Sequence, residues 1–356
     1  MMYKVSVIMP IYNMEMYLGE AIDSVINQSI GFENVQLILV NDGSDDESPK
    51  IMEYYAKQYP NITTIHFEKK SGAAGKPRNE GIKAVDAEFI MFLDPDDFFD
   101  KFAIEKLYNT AKKEKVEIVT ANYRYCNEDG SIWDKSVFDE NRFKNFKFSK
   151  TNFSESFYVW NSAAWNKIFS TKLIKENNIE FLVGVPAEDA YFTYAALLSS
   201  NTAYYLSDTI HYYRRRNKMG TLSISWDRSL TYFKNVSYAY KRIYDLFVEK
   251  NKVSLFRYFY SKTLTSVFYK ITDTKIMDDN DKVEALKSLK WLFELRDSLE
   301  IAPCQKSLEF VLKKICDEKY EDAVGIMNII GEIRTYVERD VREGMSKPEF
   351  INYVEL

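Results

Sequence analysis

Short apolar runs alternate with amphipathic stretches through the first 120 residues. Residues 5–11 (Val-Ser-Val-Ile-Met-Pro-Ile) read as a buried strand. Leu18, Ala21, Ile22, Val25 and Ile26 then recur at helical spacing, and Asn13 is expected to cap that helix near its start. Residues 36–40 predict a second strand, closing on Asn41-Asp42-Gly43-Ser44. Asp45 to Ser48 followed by Pro49 is a helix-start signal, continued by Ile51, Tyr54 and Tyr55. Strands are expected at 62–67, 89–93 and 116–121, and helices at 77–85 and 102–113. This alternation predicts a mostly parallel sheet with helices on both faces.

The middle of the chain is less regular. Asn127-Glu128-Asp129-Gly130-Ser131 is a turn between strand-like flanks. Helices are expected at 171–177 and 188–198, and strands at 202–206 and 210–213. From about Trp226 the strand signal fades. Tyr232, Val236, Ala239, Ile243 and Leu246 keep a helical period, as do Ala285, Leu286, Leu289, Leu292 and Phe293, then Leu308, Val311, Leu312 and Ile315. The expected organisation is an α/β domain over 1–225 and a helical region over 226–356.

Charge narrows the function. The chain of 356 residues carries 48 basic and 53 acidic side chains, a net −5, so it lacks the basic excess of a general nucleic-acid binder. Three cysteines (Cys126, Cys304, Cys316) form no CxxC pair, and two histidines (His66, His211) cannot build a His-rich zinc site. No apolar run approaches the ~18 residues of a membrane span, and the N-terminus lacks a signal-peptide pattern. A cytosolic protein with free thiols is expected. Aromatic residues reach 15%, enough to fill a core and also to stack on bases and sugars.

In open parallel α/β sheets, ligands bind beyond the carboxyl ends of the strands. Polar residues gather there: Pro10-Ile11-Tyr12-Asn13, Asn41-Asp42-Gly43-Ser44-Asp45 and Asp94-Pro95-Asp96-Asp97. The three carboxylates after the fourth strand need a counter-charge. A hard divalent cation shared with a substrate diphosphate fits; a cap for the following helix is the competing reading. Residues 72–78, a small-residue loop with Lys76 and Arg78, suit phosphate binding or an ordinary turn. The loop is not a Walker A sequence, and no G-x-G-x-x-G follows the first strand, which disfavours a nicotinamide enzyme. Glu188-Asp189 heads an apolar helical run, as a general base or as plain helix-start acids. Arg214-Arg215-Arg216-Asn217-Lys218 suits an anionic ligand or a solvated loop.

As an ordered set, these positions resemble the inverting nucleotide-sugar glycosyltransferases of family 2, with the GT-A fold. The carrying residues are Val5 to Asn13, Leu39 to Asp46, Pro77-Arg78-Asn79-Glu80-Gly81-Ile82, Phe92 to Asp97, Trp165-Asn166-Lys167-Ile168 and Glu188-Asp189. They cover about the first two-thirds of the chain, and the likeness is to bacterial enzymes that decorate wall teichoic acid, capsule or surface glycans. The resemblance implies that Pro10 and Tyr12 frame the nucleobase and Asp42 accepts from its ring N–H. It sets Arg78 and Asn79 by the nucleotide, Asp96 on Mg2+ or Mn2+, and Asp94 on the ribose with a share in the metal site; Lys76 departs from the family pattern as an added cation near the Arg78 loop, expected to tune the sugar or acceptor. Asp189 becomes the base that deprotonates the acceptor hydroxyl, with Glu188 holding Asp189 or touching the acceptor. The 214–223 segment closes over the diphosphate, with Arg214 and Arg216 as candidates and Arg215 not excluded.

Pro95 departs from the usual middle residue of the DxD, but its side chain is not a ligand. The Q-x-x-R-W signature of processive synthases is missing, which implies single transfers. Tyr12, Trp160 and Trp165 lie in or near the motifs as candidates for stacking on base or sugar. A nucleotidyltransferase would carry a Gly-rich loop after the first strand, where Pro10-Ile11-Tyr12-Asn13 stands. An inactive binding or scaffold protein of the same descent is the other alternative. The expected partners are a UDP-sugar donor and a glycan, teichoic acid or glycoprotein acceptor, at a cytoplasmic location that includes the inner membrane face. The helical region is left open between an acceptor surface, a homo-oligomer interface and a peripheral membrane patch.

Overall fold

A computed structural model of the chain describes residues 2–149, 153–216, 228–273, 276–299 and 306–342. It divides into two compact units, Met1–Ile224 and Ser225–Leu356.

The first unit is built on one ten-stranded mixed sheet. Its strands are β1 (Tyr3–Ile11), β2 (Val35–Asn41), β3 (Ile62–His66), β4 (Ala87–Phe92), β5 (Phe98–Phe99), β6 (Ile118–Cys126), β7 (Ile132–Ser136), β8 (Phe146–Ser149), β9 (Lys167–Ser170) and β10 (Thr202–Arg214). The helices are α1 (Leu18–Ile26), α2 (Ser48–Gln58), α3 (Gly75–Lys83), α4 (Ala103–Glu114), α5 (Phe153–Ser156), α6 (Thr171–Glu176) and α7 (Glu188–Ser199). The main path runs β3-β2-β1-β4-β9-β6-β10-β5, with β7 on β6 and β8 on β10. The β3-β2-β1-β4 half is wholly parallel. Every residue of β2 is buried, as is β1 from Val5 onward, as strands covered on both faces require.

Four departures from the expected elements have local causes. Strand β9 pairs antiparallel with both β4 and β6; its four residues are too few to show a period. The two strands expected at 202–206 and 210–213 are one strand, β10, with register shifts between Leu206 and His211. The polar gap there is a bulge, where Ser207 donates from its backbone N–H and its hydroxyl to Asn145. Asn13 does not cap α1, whose N-cap position is Tyr17. Asn13 instead holds φ 53°, in the left-handed region that asparagine tolerates, and its amide bridges to Asp45. Trp160 is fully buried and packs on Phe148 and Lys167, so it offers no face to a ligand.

Helix α3 lies so close to the 181–182 segment that a Cβ on Gly75 would sit 2.0 Å from the Leu182 carbonyl oxygen. Gly75→Ala therefore displaces backbone, and should lower stability by about 1–3 kcal/mol in urea denaturation.

The second unit is helical: α8 (Leu230–Glu249), α9 (Val253–Thr272), α10 (Asp279–Ser298), α11 (Lys306–Cys316) and α12 (Tyr320–Arg342). Phe233, Phe247, Phe256, Phe259 and Tyr260 are buried in it, while Tyr238 is 54% exposed. Its aromatic residues are thus chiefly core. Among the described residues, no helix is long and apolar enough to cross a membrane.

Candidate active site

The parallel half brings the motif ends together. In the sheet register β1 lies between β2 and β4, with Pro10 beside Val40 and Ile8 beside Phe92. The loops that carry Tyr12, Asp42 and Asp94 therefore leave one edge of the sheet side by side.

Asp42 follows β2. Its two carboxylate oxygens accept from the Ser71 backbone N–H and hydroxyl, each at 2.9 Å. Burial pushes its pKa up, and the Ser71 bonds and the Lys76 and Lys70 charges work against that. Gly43 turns the chain here at φ +72°, where a Cβ would meet the Lys70 backbone nitrogen at 2.7 Å. Tyr12 stands 38% exposed with the Lys70 ammonium 5.6 Å from its ring centre. The ring is accessible for stacking. Lys76 is exposed, with its ammonium 4.8 Å from the Phe67 ring centre.

Each carboxylate of the acidic run has its own partner. Asp94 meets the Arg78 guanidinium at 2.6 Å, and Asp96 meets that of Arg216 at 2.9 Å. Asp97 is bonded to His211 Nε2 at 2.9 Å and accepts from the Arg214 backbone N–H at 2.8 Å. Burial, with Asp97 and Asp94 alongside, drives Asp96 up to about 7. Burial also raises Asp97 and drives His211 down to about 3, so the ring is neutral near pH 7. The His211 ring stacks on Trp165, centroids 4.2 Å apart. Trp165 is only 6% exposed, so that face is occupied by the protein itself.

Arg78 is the hub. Three carboxylates from two separate stretches converge on it: Asp94 on Nη2, and Asp189 (2.5 Å) and Glu188 (3.2 Å) on Nη1. Its Nε has no hydrogen-bond partner among the described residues. Burial opposes its charge, but Asp189, Asp94 and Glu188 outweigh burial and hold its pKa above the ordinary value. Glu188 and Asp189 open α7, behind Ala187 at φ 63°, a left-handed conformation costly for alanine. Burial raises both carboxyls, Glu188 to about 7, and Arg78 acts against it in each. The Ala164 backbone N–H also lowers Asp189.

Two expected ligand contacts have other work. Asn79 spends its amide on the backbone of Phe181, donating at 2.9 Å and accepting at 2.8 Å, which locks α3 to the strand of chain before α7. Arg214 is buried and donates to the Asp96 and Glu128 carbonyls and to the Glu20 carboxylate. It fixes the backbone of the acidic run rather than standing free for a diphosphate. Arg216 does face the acidic run. Asn217 to Ser223, the rest of the expected closing segment, lie outside the described residues.

Lys167, His211 and Ser71 join the site through contacts that no sequence motif announces. Lys167 is fully buried and donates to the carbonyls of Asn161 and Ala163 and the side chains of Asn161 and Asn166. It gathers the loop whose Ala164 N–H serves Asp189. The available signal was a lysine and a histidine, each beside a buried apolar neighbour in a short apolar run, Lys167-Ile168-Phe169 and Ile210-His211.

Residues 6–176 match the family described as Glycosyl transferase family 2. The poly(ribitol-phosphate) beta-N-acetylglucosaminyltransferase TarP of Staphylococcus aureus is 30% identical over 256 residues, 70% of this chain and 75% of that protein. The chain belongs to glycosyltransferase family 2. It is also 50% identical over 116 residues to the minor teichoic acid biosynthesis protein GgaB of Bacillus subtilis, but that match covers 33% of this chain and 13% of GgaB. The chain thus spans a small part of that relative's length. The crystal structure of S. aureus TarS 1–349 superposes with a TM-score of 0.69 at 22% identity, covering 97% of this chain and 93% of that one. It shares the GT-A fold expected from the motifs.

Proposed function

We propose that this glycosyltransferase moves a hexose or N-acetylhexosamine from a UDP-sugar to a hydroxyl of a teichoic-acid polyol-phosphate chain, with inversion at the anomeric carbon. The observation that carries the reading is the convergence of Asp94, Glu188 and Asp189 on the buried Arg78. It sets a donor-side carboxylate and a candidate base on one rigid fork. TarS, which shares the fold, has been crystallised with UDP-GlcNAc, and TarP is named for a poly(ribitol-phosphate) acceptor. Both support the choice of donor and acceptor.

Asp189 takes the proton from the acceptor hydroxyl as its oxygen forms the new bond to the anomeric carbon. The bond from that carbon to the diphosphate oxygen breaks, and its electron pair leaves with UDP. Asp42 receives the base ring N–H and Tyr12 stacks on the ring.

The acidic run suits a divalent cation. Its carboxylates are hard oxygen donors, and burial, with the Asp97 and Asp94 charges alongside, raises Asp96 up to about 7, so added positive charge would be welcomed. No group of three metal-ligating side chains occurs among the described residues. Asp96, with Asp94, would hold Mn2+ or Mg2+ jointly with substrate phosphates, the usual mode for magnesium. A bound cation supplies charge neutralisation for the departing diphosphate.

Isothermal titration of UDP with and without Mn2+ tests the reading. Wild-type protein should bind UDP, more tightly with Mn2+. Asp96→Ala should abolish the Mn2+ enhancement, and Asp42→Ala should weaken UDP about tenfold, the worth of a charge-assisted hydrogen bond. A wild-type protein that does not bind UDP would sink the proposal.

A further inference from the structure

We propose that one face of the sheet at β6, β7 and β10 is an acceptor track, with the polyol backbone of the chain over its aromatic rings and phosphates on Arg215 and Lys135. The proposal rests on the polyol-phosphate acceptor above and locates where that acceptor lies.

Side chains alternate across a strand, so residues two apart share a face. The hydrogen-bonded register sets β6 between β7 and β10, with Tyr125 beside Tyr213. One face therefore carries Tyr123 and Tyr125, Trp133 and Lys135, and Tyr213 followed by Arg215. The ring contacts agree: Trp165 to Tyr123 at 4.6 Å, Tyr123 to Tyr125 at 5.9 Å, Tyr125 to Tyr213 at 5.8 Å and Tyr125 to Trp133 at 5.3 Å. Trp165, next to the Ala164 N–H that serves Asp189, is the buried end that anchors the row, and the row opens to the surface toward Trp133, 39% exposed.

The cations decide what the row takes. Of the three consecutive arginines, Arg214 is matched by Glu20 and Arg216 by Asp96. Arg215, turned to the opposite face, is exposed and has no ion pair among the described residues. Its guanidinium instead lies 5.7 Å from the Tyr125 ring centre and 5.3 Å from that of Trp133. A guanidinium resting against aromatic rings, with no ion pair of its own, has N–H groups to offer an oxyanion. Trp133 is itself fixed, donating from Nε1 to Asn127 Oδ1 at 2.9 Å. Lys135 shares its face about 7 Å along the strand. A chain of net charge −5 that must hold a polyanion needs such local positive charge, and a neutral glycan would leave Arg215 and Lys135 without use.

The test compares binding of a synthetic ribitol-phosphate oligomer with binding of UDP, by titration calorimetry on the full chain. For Arg215→Ala and for Trp133→Ala, the ratio of oligomer Kd to UDP Kd should rise about tenfold over wild type, the scale of one charge-assisted hydrogen bond. Wild-type oligomer binding should weaken with salt, and Arg215→Ala should flatten that dependence. If wild type binds the oligomer and both variants keep its ratio, the track is wrong and the acceptor reading stands. If wild type binds UDP but not the oligomer, both fall. If no UDP binds, the donor reading fails.

Discussion

Asp189→Asn should lower the transfer rate by about 10²–10⁴-fold while UDP-sugar binding persists. Asparagine keeps the size of the side chain and one oxygen for the Arg78 guanidinium and the Ala164 N–H, but it cannot take a proton. The loss therefore belongs in kcat, with the donor KM little changed. Stability should hold or rise, because burial works against the Asp189 charge and the variant removes that charge. Arg78 still has Asp94 and Glu188. A variant that keeps a tenth or more of wild-type turnover would remove Asp189 from the role of base.

The same residue predicts a pH dependence. Burial raises both Asp189 and Glu188, the latter to about 7, and a base acts only when ionised. The rate should climb as pH rises through the titration of this pair and fall away on the acid side. The two carboxyls share Nη1 of Arg78 and titrate as a unit. Ionised Asp189 raises Glu188, and by reciprocity Glu188 raises Asp189. Glu188→Gln should therefore move the acid limb of the rate profile to lower pH. An unmoved limb would separate Glu188 from the ionisation of the base.

The site was legible in sequence wherever it follows a strand. The end of β2 announces Asp42 and the end of β4 announces Asp94 to Asp97, because a period-2 or all-apolar run that stops at acidic residues marks the ligand edge of a parallel sheet. What the sequence hid is convergence. Arg78 and Asp189 are 111 residues apart, and nothing in either motif says that one guanidinium serves both. The same holds for Asp97 and His211, joined through the pairing of β5 with β10. Asn79 and Arg214 show the opposite error. Each stands inside a motif that points to a ligand, yet each is spent on fixing the motif's own backbone, and only the hydrogen-bond partners reveal it. Strand β9 was hidden for a simpler reason: both its neighbours are antiparallel to it, so its placement is tertiary and leaves no period in four residues.

Arg78→Ala should be the most damaging single change to the fold of the site. The guanidinium is 3% exposed and offsets three carboxylates at once. Removing one partner of a buried ion pair leaves the other charges uncompensated, at a cost of about 3–5 kcal/mol. The penalty has a defined sign with pH. Arg78 lowers the pKa of Glu188 and Asp189 in the folded state, so without it both rise further above their unfolded values. Stability tied to a raised carboxyl pKa is present at low pH and lost as pH climbs through the folded value. The variant should thus be closest to wild type at acid pH, where the carboxyls are protonated, and furthest below it above pH 7. Urea denaturation across pH 4–8 reads this directly. Arg78→Lys separates charge from shape: an ammonium restores one positive charge but cannot grip Asp94 with one nitrogen and Glu188 and Asp189 with another. It should recover part of the stability at neutral pH and little of the transfer rate. Equal stability of wild type and Arg78→Ala at every pH would show that the three carboxylates do not depend on this fork.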